Sequence, residues 1–75
     1  MPYIAIKGYP KDAETKRKVV DEINNIFVKY WGCPPEAISV SLEEYAPEEW
    51  EEKVVKPEIE QKLDKMMIAS GQKKY

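Results

Sequence analysis

The sequence predicts a small α/β fold, a βαβ protomer with an additional C-terminal helical segment, whose sheet is completed by oligomerisation. Two segments with alternating apolar residues, residues 1–9 and 37–45, enclose a longer segment with helical periodicity. Parallel strands need such a long crossover, which is right-handed in nearly all proteins. The 75 residues are expected to form a single domain.

The first predicted strand starts at the N-terminus itself. Ile4 and Ile6 point to one face of this strand, whereas Tyr3 and Lys7 point to the other. A terminus that is built into a sheet is held in place, whereas most termini fray. Pro2 suits the start of a strand, because the ladder needs no donor there.

The first helix is predicted from Ala13 to about Trp31. Asp12 precedes it as an N-cap, and Gly32 follows it as a residue that commonly ends helices. The apolar residues recur three and four positions apart, which predicts one stripe packed in the core. This stripe consists of Val19, Val20, Ile23, Ile26, Phe27, Tyr30 and Trp31.

The second strand is predicted at about Ala37–Tyr45. A second helical region begins at Pro47, because proline suits the first helical position. Pro57 is expected to break, kink or restart this helix, and a weaker apolar stripe continues to about Ala69. Residues Gly71–Tyr75 are expected to form a polar tail.

Length and composition favour self-association. A chain of 75 residues buries only roughly 60% of its unfolded surface and usually needs additional support. Cys33 is the only cysteine and histidine is absent, which excludes an internal disulfide and argues against structural zinc. Two strands and one helix also leave sheet edges and faces uncovered. We therefore expect a homo-oligomer.

Charge and hydropathy predict neither a nucleic-acid partner nor a membrane partner. The net charge of −2 provides no basic surface for nucleic acid. No signal peptide opens the chain, and no apolar run approaches about 18 residues. We expect a soluble cytoplasmic protein.

Few residues of this chain suit catalysis. Histidine is absent and cannot activate Ser39, Ser41 or Cys33, and three scattered glycines make no phosphate loop. What remains is the secondary amine that Pro2 exposes if Met1 is removed. A free α-amino group has a pKa near ~7.7–8.0, which burial or a nearby cation lowers toward the range useful for a general base. Considered alone, however, Pro2 is better explained as a first strand residue.

Several segments in order resemble the 4-oxalocrotonate tautomerase family. They are the opening Met1–Lys7, the following helix, the strand Ile38–Leu42 and the segment Pro47–Trp50. The resemblance covers essentially the whole chain and is closest to the longer, often dimeric members that act on phenylpyruvate-like enols. It implies a βαβ protomer with a pocket at a subunit interface and no cofactor. It also implies that Pro2 is the general base.

This chain departs from the family at two positions. The best-known members carry an arginine after the first strand and another midway along the second, where this chain offers Lys11 and Ser39. Its single arginine, Arg17, matches neither position. Lys11 can hold a substrate carboxylate as a point charge, without the bidentate fork of arginine. The departures favour an aromatic monocarboxylate over a dicarboxylate.

The resemblance suggests further substrate-binding residues, each with a structural alternative. Trp50 stands near the family's aromatic wall residue, but could instead pack against the C-terminal helix. Tyr3 flanks the site or lies in an oligomer contact. Ser39 is a candidate ligand or an ordinary sheet-face residue, and Lys11 is a candidate ligand or an exposed loop residue.

The expected function is cofactor-independent enol–keto tautomerisation of a phenylpyruvate-like 2-oxo acid. Decarboxylation or hydration by the same proline is a related possibility. The alternative from a different class is a non-catalytic, homo-oligomeric scaffold or binding protein with the tautomerase fold. Self-association as a homodimer or as a hexamer fits a βαβ protomer equally well.

Overall fold

The computed structural model describes all 75 residues, which form two compact units, Met1–Tyr45 and Ala46–Tyr75. Each unit is described by itself below. The expectation of a single domain stays a prediction. The first unit contains both long strands and the crossover helix, and it carries the start of the chain.

The first unit is the predicted βαβ unit. Strand β1 spans Tyr3–Gly8, helix α1 spans Ala13–Ile26, and strand β2 spans Ser39–Glu44. The two strands are parallel, and their register runs from Tyr3 opposite Ser39 to Gly8 opposite Glu44. The predicted fold class is therefore confirmed, including the parallel pairing that the long crossover required.

The two faces of this sheet differ in burial. Even-numbered side chains such as Ile4 and Val40 are half-buried, and Leu42 lines a shallow groove with Val20 of α1. This face is the one toward α1. The opposite face, called the open face below, carries the odd-numbered residues. They are Tyr3, Ala5 and Lys7 of β1 and Ser39, Ser41 and Glu43 of β2.

Helix α1 begins as predicted. The Asp12 carboxylate accepts hydrogen bonds from the Thr15 backbone N–H at 3.0 Å and from the Thr15 hydroxyl at 2.7 Å. Both bonds lower the pKa of Asp12 below its ordinary value, and the bond from the Thr15 hydroxyl has the larger effect. These bonds satisfy helix N–H groups that otherwise lack a partner, and the charge suits the positive end of the helix.

The end of this helical region differs from the prediction. Residues Phe27–Trp31 form a π-helical turn rather than a continuation of the α-helix. Gly32 then takes a left-handed conformation with φ of 74°, as predicted for the residue that ends the helix. The Cys33 Sγ lies 3.8 Å from the carbonyl oxygen of Phe27, as a weak donor to the widened turn.

The apolar stripe of this helix is only partly inside the unit. Val20 and Phe27 are half-buried, whereas Ile26, Tyr30 and Trp31 remain 52%, 75% and 68% exposed. The prediction that the whole stripe is core is therefore wrong for this chain alone. The physical reason is size, because one two-stranded sheet covers only one side of a helix.

The second unit begins with a short helix, α2, at Pro47–Trp50. The Glu49 carboxylate accepts a hydrogen bond from the Ala46 N–H at 3.2 Å, and a second one from the Lys53 ammonium at 2.6 Å. Both bonds lower the pKa of Glu49, and the bond from the Lys53 ammonium has the larger effect. The predicted helix start at Pro47 is confirmed.

Pro57 lies inside a widened helix. Residues Glu51–Ile59 are π-helical, and the Glu60 N–H bonds to the carbonyl of Val55, five residues earlier. Proline lacks an N–H and clashes with the carbonyl four residues before it, so a wider turn accommodates it. A 3₁₀ segment, Glu60–Lys65, completes the helical region, which ends before the predicted Ala69.

The C-terminus corrects the predicted polar tail. Ile68–Ala69 and Gln72–Lys73 pair as antiparallel strands β3 and β4 of a hairpin. Ser70 and Gly71 form its two-residue turn with φ of 50° and 80°. Positive φ at both central residues is typical of the tight hairpin turn that matches strand twist.

Apolar burial within one chain is small. Val54, at 3% exposure, is the single buried hydrophobic residue, whereas Tyr3 of β1 and Met67 before β3 are more than half exposed. No helix of the chain combines the length and apolar character that crossing a bilayer requires.

Candidate active site

Pro2 is fixed at the N-terminal end of the sheet. Its carbonyl accepts a hydrogen bond from the Ser39 backbone N–H at 3.2 Å, and its side chain is half-buried. Met1, by contrast, is fully exposed to solvent. The bond through the carbonyl keeps Pro2 in place without using its nitrogen, so the nitrogen stays available for chemistry once it is a free amine.

Ser39 is the predicted site residue that lies beside Pro2. Besides its bond to the Pro2 carbonyl, it stands directly opposite Tyr3 in the parallel register. Both residues have exposed side chains on the open face. The structure therefore brings Pro2, Tyr3 and Ser39 together at one end of the sheet.

The Tyr3 side chain reaches diagonally across the open face. Its hydroxyl lies 3.2 Å from the hydroxyl of Ser41, two residues beyond the position directly opposite Tyr3. Such diagonal neighbours are within reach of an aromatic side chain. Ala5 stands opposite Ser41, and its small side chain leaves this diagonal open. Tyr3 nevertheless remains 70% exposed.

Lys11 lies at the opposite end of the sheet. Its backbone N–H donates to Glu44 Oε2 at 2.8 Å, and the ammonium of Lys16 lies 3.1 Å from Glu44 Oε1. Both bonds lower the pKa of the Glu44 carboxyl, and the bond from the Lys11 N–H has the larger effect. Glu44 therefore joins the end of β2 to the loop after β1 and to α1.

Strand length separates Lys11 from Pro2. Strand β1 contains six residues between them, which at about 3.3 Å per residue corresponds to roughly 20 Å. A lysine side chain is far shorter than this distance. The structure does not bring Lys11 and Pro2 into one site within a single protomer.

Lys7 lies between the two ends, on the open face. Its Nζ is 5.8 Å from the centroid of the Tyr45 ring, within the range of a cation–π interaction. The Tyr45 hydroxyl donates to Glu43 Oε2 at 2.7 Å, and Glu43 stands opposite Lys7 in the register. Along the chain, Lys7 is therefore closer to Pro2 than Lys11 is.

Trp50 belongs to the second unit. It is the last residue of α2 and is half-buried. Its role as an aromatic wall stays a prediction. Cys33 and the Asp and Glu side chains form no group of three that could hold a metal ion.

Sequence reasoning missed two residues at the ends of the sheet. In the sequence, Ser41 is a residue of the alternating second strand and a nucleophile without a base, whereas in the structure its hydroxyl partners Tyr3. No motif distinguishes Glu44 from the other carboxylates of the sequence, although it accepts bonds from two elements. Alternation along β2 could have placed Ser41 on the Tyr3 face. The Glu44 contacts depend on the loop conformation, for which the sequence carries no signal.

Comparison with known proteins agrees with this architecture. The sequence model of the tautomerase family, described as tautomerase enzyme, matches residues 2–56. The chain is 32% identical over 73 residues to Tautomerase PptA of Cronobacter sakazakii, covering 95% of this chain and 96% of that protein. It is 31% identical to Tautomerase PptA of Pectobacterium atrosepticum, with the same coverage. These matches support a tautomerase-type function, and the chain belongs to the tautomerase family.

Proposed function

We propose that this protein is a cofactor-independent enol–keto tautomerase of a 2-oxo acid such as phenylpyruvate, with Pro2 as the general base. The observation that carries the proposal is the position of Pro2. It is anchored by the Ser39 N–H through its carbonyl, beside a fully exposed Met1. The match to the tautomerase family, which begins at residue 2, supports the same reading.

The proposed reaction needs one group that both takes and returns a proton. The Pro2 amine removes the proton from the enol hydroxyl while the carbonyl bond forms. The resulting ammonium then returns a proton to the adjacent carbon, so the enzyme ends in its initial protonation state. The negative charge that develops on the enolate oxygen needs a nearby hydrogen-bond donor. Stabilisation of such charge usually accounts for much of the rate enhancement of an enzyme.

The proposed role as a base requires Pro2 to be a neutral amine. Partial burial disfavours the charged form of an amine, and a cation in the same site adds to this effect. Both lower the pKa toward neutral pH, where a base is most effective. Pro2 is half-buried in the chain that carries Met1.

Lys11 requires a second copy of the chain to take part. Because Lys11 lies at the far end of β1 from Pro2, its role in substrate binding needs the Lys11 of another subunit. We propose a homo-oligomer in which the two ends of neighbouring sheets meet. The exposed apolar side chains of Ile26, Tyr30 and Trp31 support association of this kind.

The oligomer is tested by light scattering with the purified chain at micromolar concentration. The expected mass is that of a dimer or a larger closed assembly of the 8.8 kDa chain. A monomeric mass across this concentration range would contradict the proposed assembly and, with it, the substrate-binding role of Lys11.

The role of Pro2 is tested by acylating its nitrogen without altering the sequence that follows. One preparation has Met1 removed, and the other carries an uncleaved N-terminal extension, with both forms verified by intact mass. An amide nitrogen has no basic lone pair, so the extended form should lose about 10²-fold or more in kcat/KM for phenylpyruvate enol–keto conversion.

A C-terminal extension of the same length is the matched control, and it should leave kcat/KM unchanged. Equal activity of the N-acylated and free forms would exclude Pro2 as the base. Absence of activity in the free, correctly assembled protein would favour the non-catalytic scaffold over the enzyme.

A further inference from the structure

We propose that Tyr3 and Ser41 form a hydroxyl pair that binds the carboxylate of a 2-oxo monocarboxylate through the Tyr3 O–H. In this arrangement Ser41 is a positioning residue that holds the phenol. The proposal rests on the proposed tautomerase function and assigns the substrate class and a further residue. Its main observation is the 3.2 Å contact between the two hydroxyls on the open face.

The geometry leaves one donor of the pair for a ligand. Two hydroxyls carry two O–H donors, and the bond between them uses one. Tyr3 is 70% exposed, whereas Ser41 is half-buried, so the phenol is the hydroxyl that solvent and ligands reach. When Ser41 donates to the phenol oxygen, the Tyr3 O–H points outward as a neutral donor.

The spacing between this pair and Pro2 fits a short 2-oxo acid. Ser41 stands opposite Ala5, three residues along the sheet from Pro2, which corresponds to about 10 Å. A reacting carbon lies about 3–3.5 Å from the base and a carboxylate oxygen about 2.7–3.0 Å from its donor. With the three covalent bonds between the reacting carbon and that oxygen, the span is at most about 10 Å.

The hydrogen bonds that this pair can make favour a monocarboxylate over a dicarboxylate. A guanidinium holds a second carboxylate through a fork of charged donors, whereas a single hydroxyl provides one neutral hydrogen bond. Ser39 and Ser41, with no arginine beside them on β2, therefore suit one carboxylate rather than two. This end of the sheet therefore fits a monocarboxylate.

The experiment compares Tyr3→Phe and Ser41→Ala with the processed wild-type protein on phenylpyruvate enol. Tyr3→Phe removes only the hydroxyl and should raise KM about 10-fold, as expected for one bond to a charged group, with a smaller change in kcat. Ser41→Ala should raise KM about 3-fold because the phenol is no longer held. Ser41→Thr keeps a hydroxyl and should restore most of this loss.

Two controls separate binding from structural damage. Tyr75→Phe removes a hydroxyl from a tyrosine of similar exposure at the C-terminus and should leave KM unchanged. The methyl ester of the substrate lacks the carboxylate charge, so the Tyr3→Phe effect on KM should shrink with the ester. The oligomer mass of each variant is measured in parallel.

The outcomes distinguish this proposal from the proposed function. An active wild-type protein whose KM is unchanged by Tyr3→Phe would overturn the hydroxyl pair and leave Pro2 as the base. Equal KM effects on acid and ester, or loss of the oligomer in Tyr3→Phe, would also overturn it, because Tyr3 would then act in packing. Failure of the wild-type protein to convert the enol would instead overturn the proposed function.

Discussion

The two ends of the β1–β2 sheet differ in the charge of the groups that make their polar contacts. At the N-terminal end, Pro2 and Tyr3 lie beside Ser39, and the polar contacts there involve uncharged groups. At the C-terminal end, Glu44 binds the Lys11 N–H and the Lys16 ammonium, so charges dominate. A single strand of six residues separates the two ends.

This difference separates the two groups that the proposed function requires. The candidate base is at the end where the chain begins, because only there can a backbone nitrogen become an amine. The Lys11 loop is at the other end because a crossover helix must start where β1 finishes. A site that uses both groups therefore has to be assembled from more than one chain.

The largest expected change in activity comes from mixing two chains, each of which lacks one of the two groups. One chain has Lys11→Ala, which keeps the backbone N–H that Glu44 accepts, and the other has an acylated Pro2. After unfolding and refolding together in equal amounts, about one quarter of the sites should contain both intact groups if they come from different chains. The measurement is kcat/KM for the 2-oxo acid, relative to wild-type.

If Pro2 and Lys11 act within one chain, the mixture contains no intact site at all. Activity no higher than that of the Lys11→Ala chain alone would therefore contradict the shared site. Lys18→Ala is the matched control for charge, because Lys18 is 74% exposed and pairs only with Glu14 on the surface of α1. Mixing this variant with the acylated chain should give about half of wild-type activity.

Much of the fold follows from patterns that a single sequence contains. Alternation in β1 and β2 and the caps at Asp12 and Gly32 are local signals, and all of them agree with the structure. The C-terminal hairpin was missed because Ser70–Gly71 is a turn signal without flanking alternation. The burial of the α1 stripe was overestimated, because periodicity shows that a face is apolar but not that one chain covers it.

The candidate site was predictable only in part. Pro2 is a candidate because the sequence offers no other plausible base, and the family resemblance favours this role over a structural one. Its neighbour Ser39 follows from the parallel register. Alternation along β2 places Ser41 on the same face as Tyr3, but it does not predict the hydrogen bond between their hydroxyls. The Glu44 contacts depend on the loop conformation, which the sequence pattern does not specify.

The smallest expected effect concerns the charged end of the sheet. Glu44→Gln keeps an acceptor for the Lys11 N–H but removes the charge beside Lys16. The Glu44 pKa is lower in the folded protein than its ordinary value of 4.5. The charged form therefore contributes stability that is fully present above this ordinary value and is lost as the pH falls through the lowered pKa.

Thermal unfolding at fixed protein concentration measures this contribution. Wild-type should have a Tm at most a few degrees above that of Glu44→Gln at pH 7, because the carboxylate is accessible to solvent and its interactions are screened. The difference should shrink as the pH falls below the ordinary value of 4.5 and through the lowered pKa of the wild-type carboxyl. Glu14→Gln, which removes the surface pair with Lys18, should change Tm less at pH 7. A Tm difference that stays constant from pH 7 to about pH 3 would show that the Glu44 charge does not hold the charged end together, and that only the shape of the side chain matters there.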